Sequence, residues 1–279
     1  VIDLKRLEQL QLHWDDLAEI DPMWAICSDP DKQYGGWDID DFLHTGCLEL
    51  NRIFTWIEQQ GLQLTYGVAV DFGCGIGRVT QPLAERFAQC YGVDISPRMI
   101  ELAKSLNCHG DRVTYIVNDG ASLIELDDVS GDFVYSSRVL QHVPSELIAG
   151  YIAELIRILN SRGALVFQVP TRRVVFDWTP ERLGNLPLYH PKRLLNALRW
   201  HLLGDADRNF YALKRAGVSP WWLYRRLRLR PRIEMNPIEI ADIEAIVSQS
   251  GARIVSVYQD RHTAGSGFVS STFLVVKSS

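Results

Sequence analysis

Short apolar runs and amphipathic stretches alternate regularly between about residues 62 and 170. Residues 68–71, 91–95, 113–117, 132–135 and 164–169 carry mostly Val, Ile, Tyr, Phe and Ala, the composition of strands buried on both sides. Between them the period changes to that of a helix. Residues 79–88 follow the first run, and a segment with Ser96 as N-cap and Pro97 at its first position puts Met99, Ile100, Ala103 and Leu106 on one face. Residues 145–159 do the same with Leu147, Ile148, Ile152, Leu155 and Leu159. This alternation predicts a parallel sheet covered on both faces. A further helix is predicted over 238–250, closed by Gly251, and two more strands over 253–258 and 271–276. The stretch joining those two strands is rich in Gly, Ser and Thr and suits a hairpin-type connection, so the seventh strand is expected to run antiparallel to its neighbours.

A chain of 279 residues, 47% hydrophobic and 23% charged, is neither disordered nor fibrous and fits one large domain carrying an insertion. No apolar run approaches the ~18 residues of a membrane span and no leader is recognisable, so a soluble, cytoplasmic protein is expected. The five cysteines form no CxxC, which points to reduced thiols and to no metal site. The net charge of −5 is unevenly spread: residues 171–236 hold 14 Lys and Arg against 5 Asp and Glu, the remainder 15 against 29. That segment is chemically unlike its host.

Candidate chemistry gathers at the first strand end, where Asp71-Phe72-Gly73-Cys74-Gly75-Ile76-Gly77 lies between strand and helix. Glycines there let the backbone turn sharply and bring N–H groups against a ligand. Asp94 ends the second strand, where a carboxylate can take both hydroxyls of a ribose, and Asp119 follows the third. All converge on the carboxyl edge of one sheet, the edge at which open α/β sheets bind ligands.

At these residues the chain resembles the class I S-adenosylmethionine-dependent methyltransferases. Their acidic residue followed by GxGxG is met by Asp71, Gly73, Gly75 and Gly77, their ribose acid by Asp94, and their Asp near the adenine amino group by Asp119 with Gly120. The resemblance covers about residues 60–170 and 237–279. It implies a Rossmann-like seven-stranded, mostly parallel sheet with an antiparallel last strand, S-adenosylmethionine as cofactor, and Arg78, Ile95 and Ser137 as further cofactor neighbours. A dinucleotide oxidoreductase fits less well, because its GxGxxG places the third glycine one residue later.

The resemblance divides the chain into an N-terminal helical lid over 1–60, a core over 61–170 and 237–279, and a basic helical insertion over 171–236 that serves as a substrate cap. It brings the loop after strand four against the reacting methyl group, which makes His142 the candidate base for a hydroxyl acceptor. Tyr34 and Trp37, whose adjoining Gly35 and Gly36 suggest a mobile, solvent-facing loop, are candidate substrate contacts in the lid, and most other lead aromatics are expected to pack against the sheet. In the insertion, helices are expected over 191–203 and from Ser219-Pro220. Arg225 and Arg226 are candidate contacts for an anionic acceptor, although pairing with the acidic remainder is an equal reading. The expected activity is methylation of a small or medium organic acceptor, oxygen before nitrogen, with glycans and lipid-linked intermediates included. Nucleic acid is disfavoured by the pI of 5.8 and by Tyr135-Ser-Ser-Arg138 where amino-methylating nucleic-acid enzymes carry Asn/Asp-Pro-Pro-aromatic. An RNA methyltransferase docking through the insertion, an inactive cofactor-binding regulator, and peripheral contact with a membrane surface stay open; oligomeric state is not legible.

Overall fold

The computed structural model describes residues 4–118, 131–174, 206–231, 233–260 and 267–277, together with Gly120, Ser122, Leu123 and Leu126. Asp119 and the helix expected over 191–203 lie outside the described residues. Two compact units are present, one of residues 1–173 and 233–279, the other of 174–232.

The first unit is built on a seven-stranded sheet. Its strands are β1 (Val68–Phe72), β2 (Gln89–Asp94), β3 (Val113–Val117), β4 (Gly131–Ser136), β5 (Leu159–Arg173), β6 (Ala252–Asp260) and β7 (Phe268–Lys277), in the order β3-β2-β1-β4-β5-β7-β6. The four pairings from β3 to β5 are parallel, and β7 runs antiparallel to both β5 and β6. The strand order reverses between β1 and β4, which opens a crevice at the carboxyl ends of these two strands.

Both sheet faces are dry because alternate strand residues point to opposite sides. Val70, Phe72, Val134 and Phe167 pack under α6 (Ser145–Arg157) and the helix Ile240–Gln249. Ala69, Cys90, Phe133 and Val166 pack under α3 (Ile39–Gln59), α4 (Thr80–Ala84) and α5 (Pro97–Leu106). The N-terminal lead is part of this unit: Leu7 of α1 (Leu4–Ile20) joins the first face, and the α3 stripe Leu50, Ile53, Phe54 and Ile57 is the backing of the second. Helix α3 starts cleanly because the Asp38 carboxylate accepts from the N–H groups of Asp40 and Asp41. Ser96 caps α5 as its sequence predicts, accepting from Met99 N–H, with Pro97 at the first position.

Several element bounds differ from the sequence reading, two of them for a visible physical reason. Helix α4 ends at Ala84 rather than 88, because Ala88 and Gln89 already donate to the carbonyls of Tyr66 and Gly67 to open β2. Strand β5 runs past Pro170 to Arg173, and the register shift in its pairing with β7 falls between Pro170 and Arg172, where a bulge tolerates the missing N–H.

In the second unit, Ala206–Arg215 forms α7, and Pro220–Trp222 begins α8 after Ser219, continuing as a π-helical turn over Leu223–Leu227. The turn ends at Arg228 with a left-handed φ of 55°. Phe210, Leu223 and Tyr224 are buried, while Arg225 and Arg226 are exposed and the Arg225 guanidinium lies over the Trp221 ring at 5.8 Å. Among the described residues no helix is long and apolar enough to cross a membrane.

Candidate active site

The loop after β1 turns back over β2, with Gly73 and Cys74 N–H both donating to the Val93 carbonyl at 2.7 and 3.0 Å. Gly73, Gly75 and Gly77 all hold left-handed backbone, φ 78°, 54° and 87°. A side chain at Gly73 would also collide with Val139, so the loop lies directly against the segment that follows β4. Helix α3 crosses the same loop at Gly46, where any Cβ would meet the Arg78 carbonyl.

Asp94 is half-buried at the end of β2. Its carboxylate accepts from Gly75 N–H at 2.8 Å and from Ser96 N–H at 2.9 Å, so it is aimed at the loop. Withdrawal from water pushes its pKa up to about 6 against those two bonds. Asp71 is fully enclosed and accepts from the Thr80 hydroxyl at 2.7 Å. Burial pushes it up to about 7, with the Thr80 bond opposing. This bond ties the end of β1 to the start of α4. Ile95 is half-buried with its carbonyl taken by Gln11 of α1 at 3.0 Å. The Gly120 carbonyl accepts from Tyr151 at 2.6 Å and from Asn118 at 3.2 Å. Ser137 is half-buried, its hydroxyl beside the Tyr135 phenol.

The Arg78 side chain reaches helix α3. Its Nη2 donates to Glu49 of α3 at 3.0 Å and its Nη1 to Thr45 at 3.3 Å. Glu49 also accepts from Arg138 Nη1 at 2.9 Å and from the Tyr135 hydroxyl at 2.6 Å. Burial alone would raise Glu49, but the two guanidiniums and the phenol hold it down at about 2. This cluster ties α3, the glycine loop and the segment after β4 together, and the sequence reading had no signal for it except Glu49's place on the inner side of an amphipathic helix.

His142 sits in the turn after β4 with both ring nitrogens engaged: Nδ1 lies 2.9 Å from the Glu234 carbonyl and Nε2 2.9 Å from the Gln141 amide. A neutral ring donating from Nδ1 and accepting at Nε2 satisfies both, and Trp14 of α1 meets it edge-on at 5.5 Å. Burial lowers its pKa to about 4 against the Glu234 bond, which makes it a weak base at neutral pH. Trp37 is pinned instead of lying on a loose loop. Its indole donates to the Cys27 carbonyl at 3.0 Å, its ring packs against Phe42 at 5.8 Å, and Lys32 lies over it at 5.2 Å. Tyr34 is half-buried in left-handed backbone, φ 67°, held by the Gly35 N–H that donates to Asp21 at 3.0 Å.

Among the described residues, two buried polar atoms at this sheet edge have no hydrogen-bond partner: Asn118 Oδ1 after β3 and Ser136 Oγ at the end of β4. Orphaned acceptors beside three left-handed glycines and a loop-facing carboxylate fit a polar ligand with an adenosine-like donor pattern.

The sheet order is that of the class I S-adenosylmethionine-dependent methyltransferases. Residues 70–167, which hold the glycine loop and Asp94, match the family model described as "Methyltransferase domain". The chain is 27% identical over 139 residues to the magnesium-protoporphyrin O-methyltransferase of Synechocystis sp., covering 48% of this chain and 54% of that protein. It is 32% identical over 135 residues to the demethylmenaquinone methyltransferase of Tropheryma whipplei, covering 45% and 55%. It thus spans about half the length of the curated relatives it matches. The crystal structure of magnesium protoporphyrin IX methyltransferase from Synechocystis with bound S-adenosylhomocysteine shares the fold, at a TM-score of 0.57 and 20% identity over 98% of this chain and all of that one.

Proposed function

We propose that the protein transfers the methyl group of S-adenosylmethionine to a small or medium organic acceptor, with oxygen favoured over nitrogen as the accepting atom. The observation that carries this reading is the meeting of the left-handed glycine loop, the Asp94 carboxylate and the orphaned Asn118 and Ser136 oxygens at one sheet edge. Asp94 would take the ribose hydroxyls, Gly73, Gly75 and Gly77 would admit the cofactor to the backbone, and Asn118 and Gly120 would flank the adenine with Asp119. The cofactor, when bound, supplies an already activated methyl group, so the chain's own work is alignment and exclusion of water. Oxygen is favoured by the Synechocystis relative's O-methyltransferase name and by the absence of an Asn/Asp-Pro-Pro-aromatic sequence after β4. Transfer of a labelled methyl group to one metabolite of a cell extract, read as a mass gain, tests the reading; binding of S-adenosylhomocysteine without any transfer would point to the regulatory alternative.

His142 acts in this reading as a positioning residue that ties the turn after β4 to residues 234–236 and to α1. His142→Ala is expected to leave S-adenosylhomocysteine affinity within about threefold and to slow turnover ~10-fold, with the pH profile of kcat unmoved. A fall of ~100-fold together with loss of the acidic limb would restore it as the base.

For the insertion, the double replacement of Arg225 and Arg226 by Gln is expected to raise the acceptor KM several-fold, an effect that high salt imitates. Normal kinetics with earlier melting would make these arginines structural, and lost polynucleotide binding with a steep salt slope would favour the RNA alternative.

A further inference from the structure

Arg138 stands two residues beyond β4 with a left-handed φ of 63°, a conformation that costs a residue with a Cβ about 1–3 kcal/mol and persists where its surroundings hold it. Two contacts do so here: its N–H donates to Gln168 Oε1 at 2.8 Å, and its Nη1 donates to Glu49 at 2.9 Å. Glu49 serves two guanidiniums at once, and these are unequally placed. The Arg78 side chain is 5% exposed, that of Arg138 31%. Two cations on one carboxylate leave a surplus positive charge, and Asp71, raised to about 7, offsets only part of it. The surplus reaches solvent at Arg138. The next residue, Val139, packs against Gly73, so this guanidinium stands at the same sheet edge as the glycine loop. Cys27 lies beside it, and the Cys27 carbonyl in turn holds the Trp37 indole.

We propose that Arg138 is the specificity-determining residue of this site, taking a carboxylate of the acceptor through the guanidinium donors that Glu49 leaves free. An arginine has five N–H donors in a planar fork matched to a carboxylate, and among the described residues hydrogen bonds to its side chain occupy one nitrogen. Glu49 sets the fork's orientation in advance, which lowers the ordering cost of binding. Acceptors carrying a carboxylate are therefore selected over their neutral analogues. The inference rests on the methyltransferase reading.

The test uses benzoate and benzamide, a planar carboxylate and its neutral isostere, titrated calorimetrically at low salt into the full chain saturated with S-adenosylhomocysteine. Wild type is expected to bind benzoate at least ~10-fold more tightly than benzamide, Arg138→Gln to bind both alike, and Arg138→Lys to keep part of the preference, since it retains the charge without the fork. S-adenosylhomocysteine affinity within about threefold of wild type shows that each variant is folded, and Arg138→Lys carries the comparison should Arg138→Gln not fold. Absence of a benzoate preference in wild type, whether through equal binding or none, overturns the proposal, as does a preference that survives in Arg138→Gln or stands undiminished in Arg138→Lys. Wild type that fails to bind S-adenosylhomocysteine overturns the methyltransferase reading and this inference together, whereas cofactor binding without benzoate preference overturns this inference alone.

Discussion

Asp94→Ala is expected to weaken S-adenosylhomocysteine binding by more than ~1.5 kcal/mol, about tenfold or more, while the protein stays folded. The carboxylate reaches the glycine loop from the end of β2, and a pair of charge-assisted bonds to ribose hydroxyls is lost with it. The fold survives because removing a partly desolvated carboxylate also removes its desolvation cost, and the space left by this half-buried side chain lets water reach the Gly75 and Ser96 N–H groups. The raised pKa of about 6 supplies a second readout. Ribose hydroxyls favour the ionised form, so wild-type affinity is expected to fall as pH drops through about 6, and Asp94→Ala is expected to flatten that dependence. The folding contribution has the opposite sense. An acid raised in the folded state binds its proton more readily there than when unfolded, so this group's contribution is present below the unfolded value near 4 and is lost as pH rises through about 6. Calorimetric titration across pH 5 to 8 checks both; wild-type affinity in Asp94→Ala would remove Asp94 from the cofactor site.

The sheet and the cofactor edge were legible because both are encoded locally. Each central strand is a short apolar run, each helix has its own period and caps, and the glycine loop with Asp94 spans 24 residues of continuous sequence. The seventh strand's reversal could be read from a Gly- and Ser-rich link with no room for a crossover helix. What stayed hidden was long-range polar pairing. Nothing near His142 announces that Glu234, 92 positions away, occupies its Nδ1. The adjacent glycines at 35 and 36 read as looseness around Trp37, yet the Cys27 carbonyl and Phe42 fix that ring through contacts no periodicity encodes. Arg78 follows the loop and so read as a cofactor neighbour, while its charge is satisfied by a helix that precedes the first strand. Pairings of this kind depend on three-dimensional neighbours, and a side chain's type alone does not select its partner.

The largest loss of stability is expected from that hidden cluster. Glu49→Ala should destabilise the protein by about 3–5 kcal/mol, because it leaves the enclosed Arg78 guanidinium, whose Nε already has no partner among the described residues, without its counter-charge. Glu49→Gln should recover less than half of this. An amide oxygen can still accept from Tyr135, but the neutral group cannot compensate two guanidiniums 3.0 and 2.9 Å from the original carboxylate. Arg78→Met should cost less than either, since Glu49 keeps Arg138 and Tyr135, and adding it to Glu49→Ala should restore part of the loss by removing the orphaned charge. The pH dependence follows from a carboxyl held at about 2 in the folded protein: its contribution is full above the unfolded value near 4.5 and disappears as pH falls through about 2, so the Glu49→Ala deficit should be constant from pH 6 to 8 and narrow in acid. Denaturant titrations of wild type and the four variants at pH 7 and pH 3 measure these differences. A Glu49→Ala loss below ~1 kcal/mol, or an Arg78→Met loss as large as that of Glu49→Ala, would show that the cluster is solvated like a surface ion pair, and Arg138 would then lose the anchor that orients it.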